Sequence, residues 1–330
     1  MDSKITKGRL GTLFSYDWIY LIVIVVMCSF IMSFIYGIIA IKPTPGQAFN
    51  YFYDYEISAS ADESLALLYK NTFSFDVRDV IVDELTEQEG ESILTAKIEN
   101  GEGDIIFTHI HGSFKENEGY YSCRAHDVID FKPVYALDNK EGGLLYDLEK
   151  YLSQFLVNAG DYPFDYNNLS EQKIKDNFNE RTAGKRVYKN DLRKGIVTVD
   201  MELERIKNLC VEADFFSRVI AYDSTLDQSQ SIFYRYKRYT QASFEADRFD
   251  RESFAQKTAI ETERPYALDL YKLTGGKTVS DYFKMKDTNF KGGVVAVVIN
   301  LNERQPDLQF ETVSFINTII RNFSDLDEKI

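Results

Sequence analysis

An uncharged segment near the start of the chain constrains its architecture more than any other feature. Residues 18–41 form 24 consecutive positions without a charged side chain. A helix rises about 1.5 Å per residue, so this segment spans roughly 36 Å, enough to cross a bilayer core of about 30 Å. Backbone groups inside lipid must pair within their own segment. The sequence therefore predicts a single transmembrane helix over residues 18–41, in contact with the lipid bilayer.

The charges that flank this segment predict its orientation. Cytoplasmic flanks of membrane helices carry an excess of Lys and Arg. Lys4, Lys7 and Arg9 precede the segment, whereas only Lys42 follows it before an acidic stretch. We therefore expect residues 1–17 to form a cytoplasmic tail and the rest of the chain to lie outside the cytoplasm, in a single-pass protein of the cell membrane.

A cleaved secretory signal is the alternative interpretation of the same segment. Apolar regions of signal peptides run to about 7–15 residues, which is shorter than this one. The best cleavage position, Ala40, has Ile38 two residues before it, where a small residue is needed. Cys28 raises the possibility of lipoprotein processing, but no small residue stands in the positions before it. The retained anchor is the better reading.

The composition limits the classes of function. The net charge is −14, from 38 basic and 52 acidic residues. Nucleic-acid binders carry a basic surface, so that class is excluded. Pro43 and Pro45 indicate a stiff linker over residues 42–48, because proline fixes φ. Cys123 and Cys210 leave open whether the outer domain has a disulfide.

Residues 49–330 have the pattern of an α/β domain. Apolar and polar residues alternate over 49–57, as in a strand. Strands are also predicted over 73–84, 104–111, 231–240 and 294–299, and helices over 61–68, 91–100, 144–157, 201–222 and 308–323. Because strands and helices alternate in the first part, we expect parallel strands joined by crossover helices.

Two stretches resemble a known family. Residues 93–107 contain a helix that ends in Gly101-Glu102-Gly103 and enters a strand through Asp104, and residues 294–300 are followed by a polar turn and a last helix. They resemble the extracytoplasmic solute-binding proteins of bacterial ABC importers, in which proline usually stands at the position of Gly103. The resemblance implies a two-lobed, periplasmic-binding-protein-like α/β fold with a ligand cleft between the lobes, here in a membrane-anchored form.

The resemblance also implies a function in binding. We expect a tethered binding protein that recognises a small polar solute and passes occupancy to an integral membrane partner such as an ABC transporter. Ligands of α/β sheets lie at the carboxyl ends of strands, so Ser58, Thr108 and His109 are candidate ligand-binding residues. Arg264 and Tyr266 join them because residues 263–268 resemble a segment near the family's cleft. No cofactor is expected.

Two other functions remain alternatives to solute binding. One is a non-catalytic accessory or scaffold subunit of a membrane complex. The other is an extracytoplasmic zinc-binding protein. His109 and His111 would share one face of a strand, and Cys123 and His126 are spaced to supply two further ligands from one turn. Three histidines on ordinary surface are the simpler explanation of this group.

Catalytic motifs are absent from the sequence. Neither a Gly-x-Ser-x-Gly elbow nor a His-Glu-x-x-His helix occurs. The chain is therefore not expected to be an enzyme. A basic, tyrosine-rich run over 233–239 favours an amphipathic strand, with its basic residues paired to acidic neighbours, over a surface for sugars or anions.

Overall fold

The computed structural model divides the chain into two compact units, Met1–Lys42 and Pro43–Ile330. Apart from Gly8 and Gly11, the residues that it describes are 18–39, 48–59, 79–86, 89–110, 112–115, 120–158, 165–183, 198–238, 262–273, 283–285, 293–300 and 311–330. The helix predicted over 61–68 lies outside these residues. Each unit is treated by itself.

The first unit contains one long helix, α1, over Trp18–Ile39. Its side chains are described at Tyr20 and from Ile22 to Phe34, and all of these are exposed. Within the part of the chain that the structure describes, no helix is both long and apolar enough to cross a membrane. The structure confirms a helix at this position, and its insertion into a bilayer stays a prediction.

The second unit contains strands that form one large sheet and two small pairs. The strands are β1 Ala48–Asp54, β2 Ile57–Ala59, β3 Asp79–Leu85, β4 Ile105–His109, β5 Gly112–Lys115, β6 Tyr120–Cys123, β7 Phe233–Tyr236, β8 Arg264–Asp269, β9 Phe283–Met285 and β10 Val294–Val298. Six of them form a mixed sheet in the order β3-β1-β4-β10-β8-β7, and β2 pairs with β9 and β5 with β6. In the large sheet, β1 is parallel to both β3 and β4, and β10 is antiparallel to both β4 and β8.

Helices cover both faces of the six-stranded sheet. They are α2 Gly90–Glu99, α3 Arg124–Phe131, α4 Leu144–Ser153, α5 Glu171–Thr182, α6 Val199–Asp223 and α7 Glu311–Phe323. Alternate side chains of a strand point to opposite faces. Phe49, Tyr51 and Phe107 therefore pack with α4, α5, α6 and α7, while Phe52 and Ile106 pack with α2 and α3 on the other face.

The α6 helix shows why the sequence pattern was informative. The Thr198 hydroxyl accepts a hydrogen bond from the Met201 amide at 3.2 Å, which caps the first turn. Leu203, Ile206 and Cys210 follow at helical spacing and are buried against the sheet. The helix therefore begins at a polar cap and is held by one apolar stripe.

The turn that leads into β4 needs glycine at position 103. Gly103 has φ +123°, and a Cβ there would come within 2.8 Å of the Phe52 ring. Proline, whose φ is fixed near about −65°, cannot take this conformation. The backbone N–H of Asn50 donates a hydrogen bond to the Asp104 carboxyl at 2.7 Å. The Thr312 side chain is hydrogen-bonded to the same carboxyl. Burial raises the pKa of Asp104 to about 7 in spite of these bonds.

The predicted fold class is confirmed at the level of a mixed α/β domain with parallel crossovers. The predicted strands at 49–57, 104–111 and 294–299 correspond to β1, β4 and β10. A two-lobed fold needs a second sheet-based core, and the described strands outside the large sheet form only two short pairs. The division into two lobes therefore stays a prediction.

Candidate functional site

The order of the strands in the sheet changes direction between the parallel strands β1 and β4. From β1 the chain goes to β3 on one side, whereas from β4, on the other side of β1, it goes on towards β7, β8 and β10. Open α/β sheets bind ligands beside the carboxyl ends of strands at such reversal points. The carboxyl ends of β1 and β4 are therefore the first place to examine, and we call this region the β1/β4 edge.

A row of polar side chains crosses the sheet at this edge. Tyr53 is paired with Phe107, so Asp54 and Thr108, which follow them, are adjacent. Val295 is paired with both Thr108 and Asp269, which extends the row to the end of β8. Residues in one row point to the same face of a sheet. The row thus places two carboxyl groups and a hydroxyl on the face covered by α2 and α3.

Asp54 and Thr108 form a buried pair in this row. The Thr108 hydroxyl donates a hydrogen bond to the Asp54 carboxyl group. Asp54 is 1% exposed and Thr108 is fully buried. A buried carboxylate is costly unless it accepts hydrogen bonds. Thr108 therefore supplies one of the hydrogen bonds that such a buried carboxyl group needs.

His109 and Glu56 form a second pair on the opposite face. The His109 Nε2 lies 2.6 Å from the Glu56 carboxylate, which belongs to the turn between β1 and β2. The His109 side chain is 11% exposed, whereas that of Glu56 is 34% exposed. This pair is the more accessible of the two, and it links the end of β4 to the segment that follows β1.

Asp269 is the last residue of β8 and lies on the same face of the sheet as Asp54 and Thr108. Its carboxyl accepts a hydrogen bond from the Tyr271 amide at 3.0 Å. Burial raises the pKa of Asp269, and its backbone hydrogen bonds and the nearby charge of Lys272 oppose that shift. A Cβ on Gly293, which precedes β10, would lie 2.9 Å from the Asp269 carboxyl. Glycine at this position lets β10 pass close to the carboxyl group.

The side chains of this edge are mainly hydrogen-bond acceptors, and its carboxyl groups outnumber its imidazole. Asp54, Glu56 and Asp269 supply carboxyl groups, and His109 supplies one imidazole. Such a set suits hydroxyl or amine donors of a polar ligand. Among the residues that the structure describes, no group of three His, Cys, Asp or Glu side chains could hold a metal ion.

The structure brings together only some of the residues expected from the sequence to bind ligand. Thr108 and His109 lie at the β1/β4 edge, and Ser58 follows in β2, although its side chain is not described. Arg264 and Tyr266 lie towards the start of β8, which runs parallel to β4. Arg264 therefore lies at the amino-terminal end of β8, about 17 Å along the strand from Asp269. Ligand contact at all five positions stays a prediction.

Arg264 and Tyr266 have other partners in the structure. The Arg264 guanidinium lies 2.5 Å from the Asp138 carboxylate and donates to the carbonyls of Lys140 and Glu141. Tyr266 is 3% exposed and packs in the core beneath α2 and α3. Both side chains therefore serve packing and loop attachment. Arg264 and Tyr266 thus lie away from the carboxyl ends of β4 and β8, where Thr108 and His109 stand, and ligand contact at these two positions stays a prediction.

The residues of the zinc alternative are only partly described. His126 lies 2.6 Å from the Tyr234 hydroxyl and stacks on Tyr236 at 4.2 Å, and burial lowers its pKa to about 4. His109 is paired with Glu56 instead. His111 and the side chain of Cys123 lie outside the described residues, so zinc binding stays a hypothesis.

Cys210, in the second unit, is a free cysteine. Cys210 is buried in α6, and burial raises the pKa of its thiol to about 12. The disulfide that the sequence left open is therefore not formed by Cys210.

The first part of the basic run at 233–239, Phe233–Tyr236, forms the edge strand β7. Tyr234 and Tyr236 share a face and both contact His126, as expected from strand alternation. Arg235 lies 3.4 Å from Asp223. This pairing favours the amphipathic-strand interpretation over a surface for anionic partners.

Sequence reasoning missed three residues of the β1/β4 edge. Asp54 and Glu56 were treated as polar partners in the alternation of the first strand, and Asp269 lies just beyond the predicted family-like segment. The signal that could have found Asp54 is its position as the last residue of a strand of the parallel crossover unit. Asp269 could not be found this way, because its place depends on the pairing of β8 with β10.

Comparison with known proteins returns no match: no family model fits the sequence, and no curated protein or solved structure is similar to it. The resemblance to solute-binding proteins therefore rests on the two stretches of sequence alone.

Proposed function

We propose that this chain is a membrane-tethered extracytoplasmic binding protein that holds a small polar solute at the β1/β4 edge and passes occupancy to an integral membrane partner. The single observation that carries the proposal is the polar set at a reversal point of the sheet. Thr108 and His109, two of the expected ligand-binding residues, lie there with Asp54 and Glu56.

The charge of the edge defines the kind of solute. Its carboxyl groups outnumber its one imidazole, so a solute rich in hydroxyl or amine donors is favoured over an anion. Glu56 is the most exposed member of the set. We therefore expect the solute to contact Glu56 and His109 first.

The tether is supported by α1. This helix has 22 residues, and its described apolar side chains, such as Phe30 at 69% and Phe34 at 71%, are exposed. Large apolar side chains that are exposed along the described part of a helix indicate contact with lipid or with another apolar surface. The orientation with residues 1–17 in the cytoplasm and the two-lobed closure around the solute belong to the same proposal.

The experiment is a thermal-unfolding screen of the full-length protein against polyols, sugars, amino acids and polyamines. A ligand that binds only the folded state stabilises it by about 2.7 kcal/mol at a hundredfold excess over Kd. Any solute that raises the unfolding midpoint is then tested on Glu56→Gln and His109→Gln. We expect both substitutions to reduce the ligand-dependent shift.

His126→Gln is the matched control, because it also removes a largely buried histidine from a hydrogen bond but lies on α3. Its own stability can fall, yet its ligand-dependent shift should equal that of the unchanged protein. A shift that survives Glu56→Gln and His109→Gln while His126→Gln abolishes it would contradict the assignment to the β1/β4 edge.

One observation favours the accessory-subunit alternative. Asp54 is hydrogen-bonded by Thr108, and Glu56 by His109, so these polar groups are bonded within the protein itself. A degenerate cleft would have this arrangement. Under this alternative no solute shifts the unfolding midpoint, and the full-length protein co-purifies with a membrane partner whether or not Glu56 and His109 are replaced.

A further inference from the structure

A cavity of about 310 Å³ is lined by residues other than those of the β1/β4 edge. Its walls come from the end of α6 and the loop that follows it, the turn after β8, and the segment after α7. Binding sites for small molecules have volumes of about 300–1,000 Å³. The cavity is therefore at the small end of the range for a ligand site.

The charged residues of the wall favour an anion. Lys272 and Lys329 both line the cavity, against one acidic residue, Asp325. The Lys272 ammonium donates to the Gln228 carbonyl at 3.1 Å, which holds its side chain in place. In a chain whose net charge is −14, two lysines at one cavity form a local positive excess.

The remainder of the wall is partly apolar. Leu226, Ile232 and Leu326 contribute aliphatic side chains, while Tyr222 and Ser324 carry hydroxyl groups. Ile232 and Leu326 are almost fully buried, which makes them a fixed surface. A ligand that fits both parts of this wall has an anionic end and a short hydrocarbon part.

We infer that this cavity binds a small amphipathic carboxylate, with its carboxylate between Lys272 and Lys329 and its hydrocarbon part against Leu226, Ile232 and Leu326. Liquid water occupies about 30 Å³ per molecule, so the cavity has room for roughly ten waters. A six-carbon straight-chain acid fits within that volume. Lys272 lies between the two regions, because its charge is near the Asp269 carboxyl, but Glu56 and His109, on which the proposed function rests, do not line this cavity.

The probe is hexanoate, titrated calorimetrically into the full-length protein, with hexanamide as the neutral molecule of the same shape. We expect hexanoate to bind and hexanamide to bind at least about tenfold more weakly, since a hydrogen bond to a charged group is the stronger kind. Equal affinity for both molecules would overturn the inference, as would the absence of any heat from hexanoate.

Charge substitutions test the geometry in both directions. Lys272→Gln and Lys329→Gln should each raise the Kd for hexanoate about tenfold, and Asp325→Asn should lower it, because a repelling charge is removed. Lys150→Gln, on the exposed side of α4, is the control and should leave the Kd unchanged. Far-UV circular dichroism before each titration confirms that a variant is folded.

Two outcomes of these substitutions would refute the site. One is a Kd that is insensitive to both lysine substitutions although the variants are folded. The other is a Kd that rises when Asp325 is neutralised. Substitutions at Glu56 and His109 should have no effect on hexanoate, so failure here and failure of the proposed function are separate results.

Discussion

Replacing Thr108 by valine tests the β1/β4 edge most directly. Valine has nearly the shape of threonine and removes only the hydroxyl that donates to Asp54. Asp54 is 1% exposed, so water cannot replace the lost donor without a local opening of the sheet. A hydrogen bond to a charged group contributes about 1.5–3 kcal/mol. We therefore expect Thr108→Val to lower the free energy of unfolding by about 2 kcal/mol.

The control for this substitution is Thr182→Val. The Thr182 hydroxyl is also buried, but it donates to a neutral acceptor, the Phe178 carbonyl, at 2.7 Å. Its loss should cost only about 1 kcal/mol, the usual value for a neutral pair. The assay is urea unfolding of the full-length protein followed by circular dichroism.

Asp54→Asn completes a double-mutant cycle with Thr108→Val. Because the two side chains are in contact, their effects should be coupled by about 1 kcal/mol or more. Additive effects, or a Thr108→Val cost no larger than that of Thr182→Val, would refute the reasoning that Asp54 is held by this donor.

Four further predictions follow from other parts of the chain. Gly103→Ala should cost about 3 kcal/mol or more in urea unfolding, because its Cβ would meet the Phe52 ring. Gly142→Ala, at φ +75°, should cost only about 1 kcal/mol, because its Cβ would be no closer than 4.0 Å to the Arg264 side chain. A cysteine placed at Ile5 should stay unlabelled by impermeant thiol reagents in intact cells if the tail is cytoplasmic, and labelling from outside would reverse the orientation. The pKa of Asp104 is raised from 3.8 to about 7, so the folded state holds a proton that the unfolded state has lost, and stability should fall as the pH rises through this window; Asp104→Asn should flatten that fall. We expect no stoichiometric zinc by elemental analysis of the purified protein, and one equivalent that is lost in His111→Ala would support the zinc alternative instead.

Much of the secondary structure was predictable because its signal is local. β1 was recognised from alternation, and α6 from an apolar stripe that covers a long helix. The parallel direction of β1, β3 and β4 also followed, because strands joined through helices are parallel. These elements carry their own periodicity, so no distant partner is needed to recognise them.

The site was less predictable because it depends on pairing between distant parts of the chain. Asp54 contacts Thr108, which is 54 residues away in the sequence, and Arg264 contacts Asp138, which is 126 residues away. A local resemblance placed Arg264 near a ligand, whereas its ion pair fixes it to a loop at the other edge of the sheet. Sequence patterns show which residues lie on a strand, but they do not show which strands become neighbours.

The two pairs at the β1/β4 edge differ in the free energy needed to open them, and this difference decides how a solute would enter. Opening the Asp54–Thr108 pair breaks a hydrogen bond to a buried carboxylate, which costs about 1.5–3 kcal/mol. Opening the Glu56–His109 pair costs less, because Glu56 is 34% exposed and water can solvate its carboxylate as it moves. A solute can therefore exchange for the second pair while the first keeps β1 and β4 together. On this argument Glu56→Gln should change the affinity for a solute with little change in stability, and Thr108→Val should do the reverse.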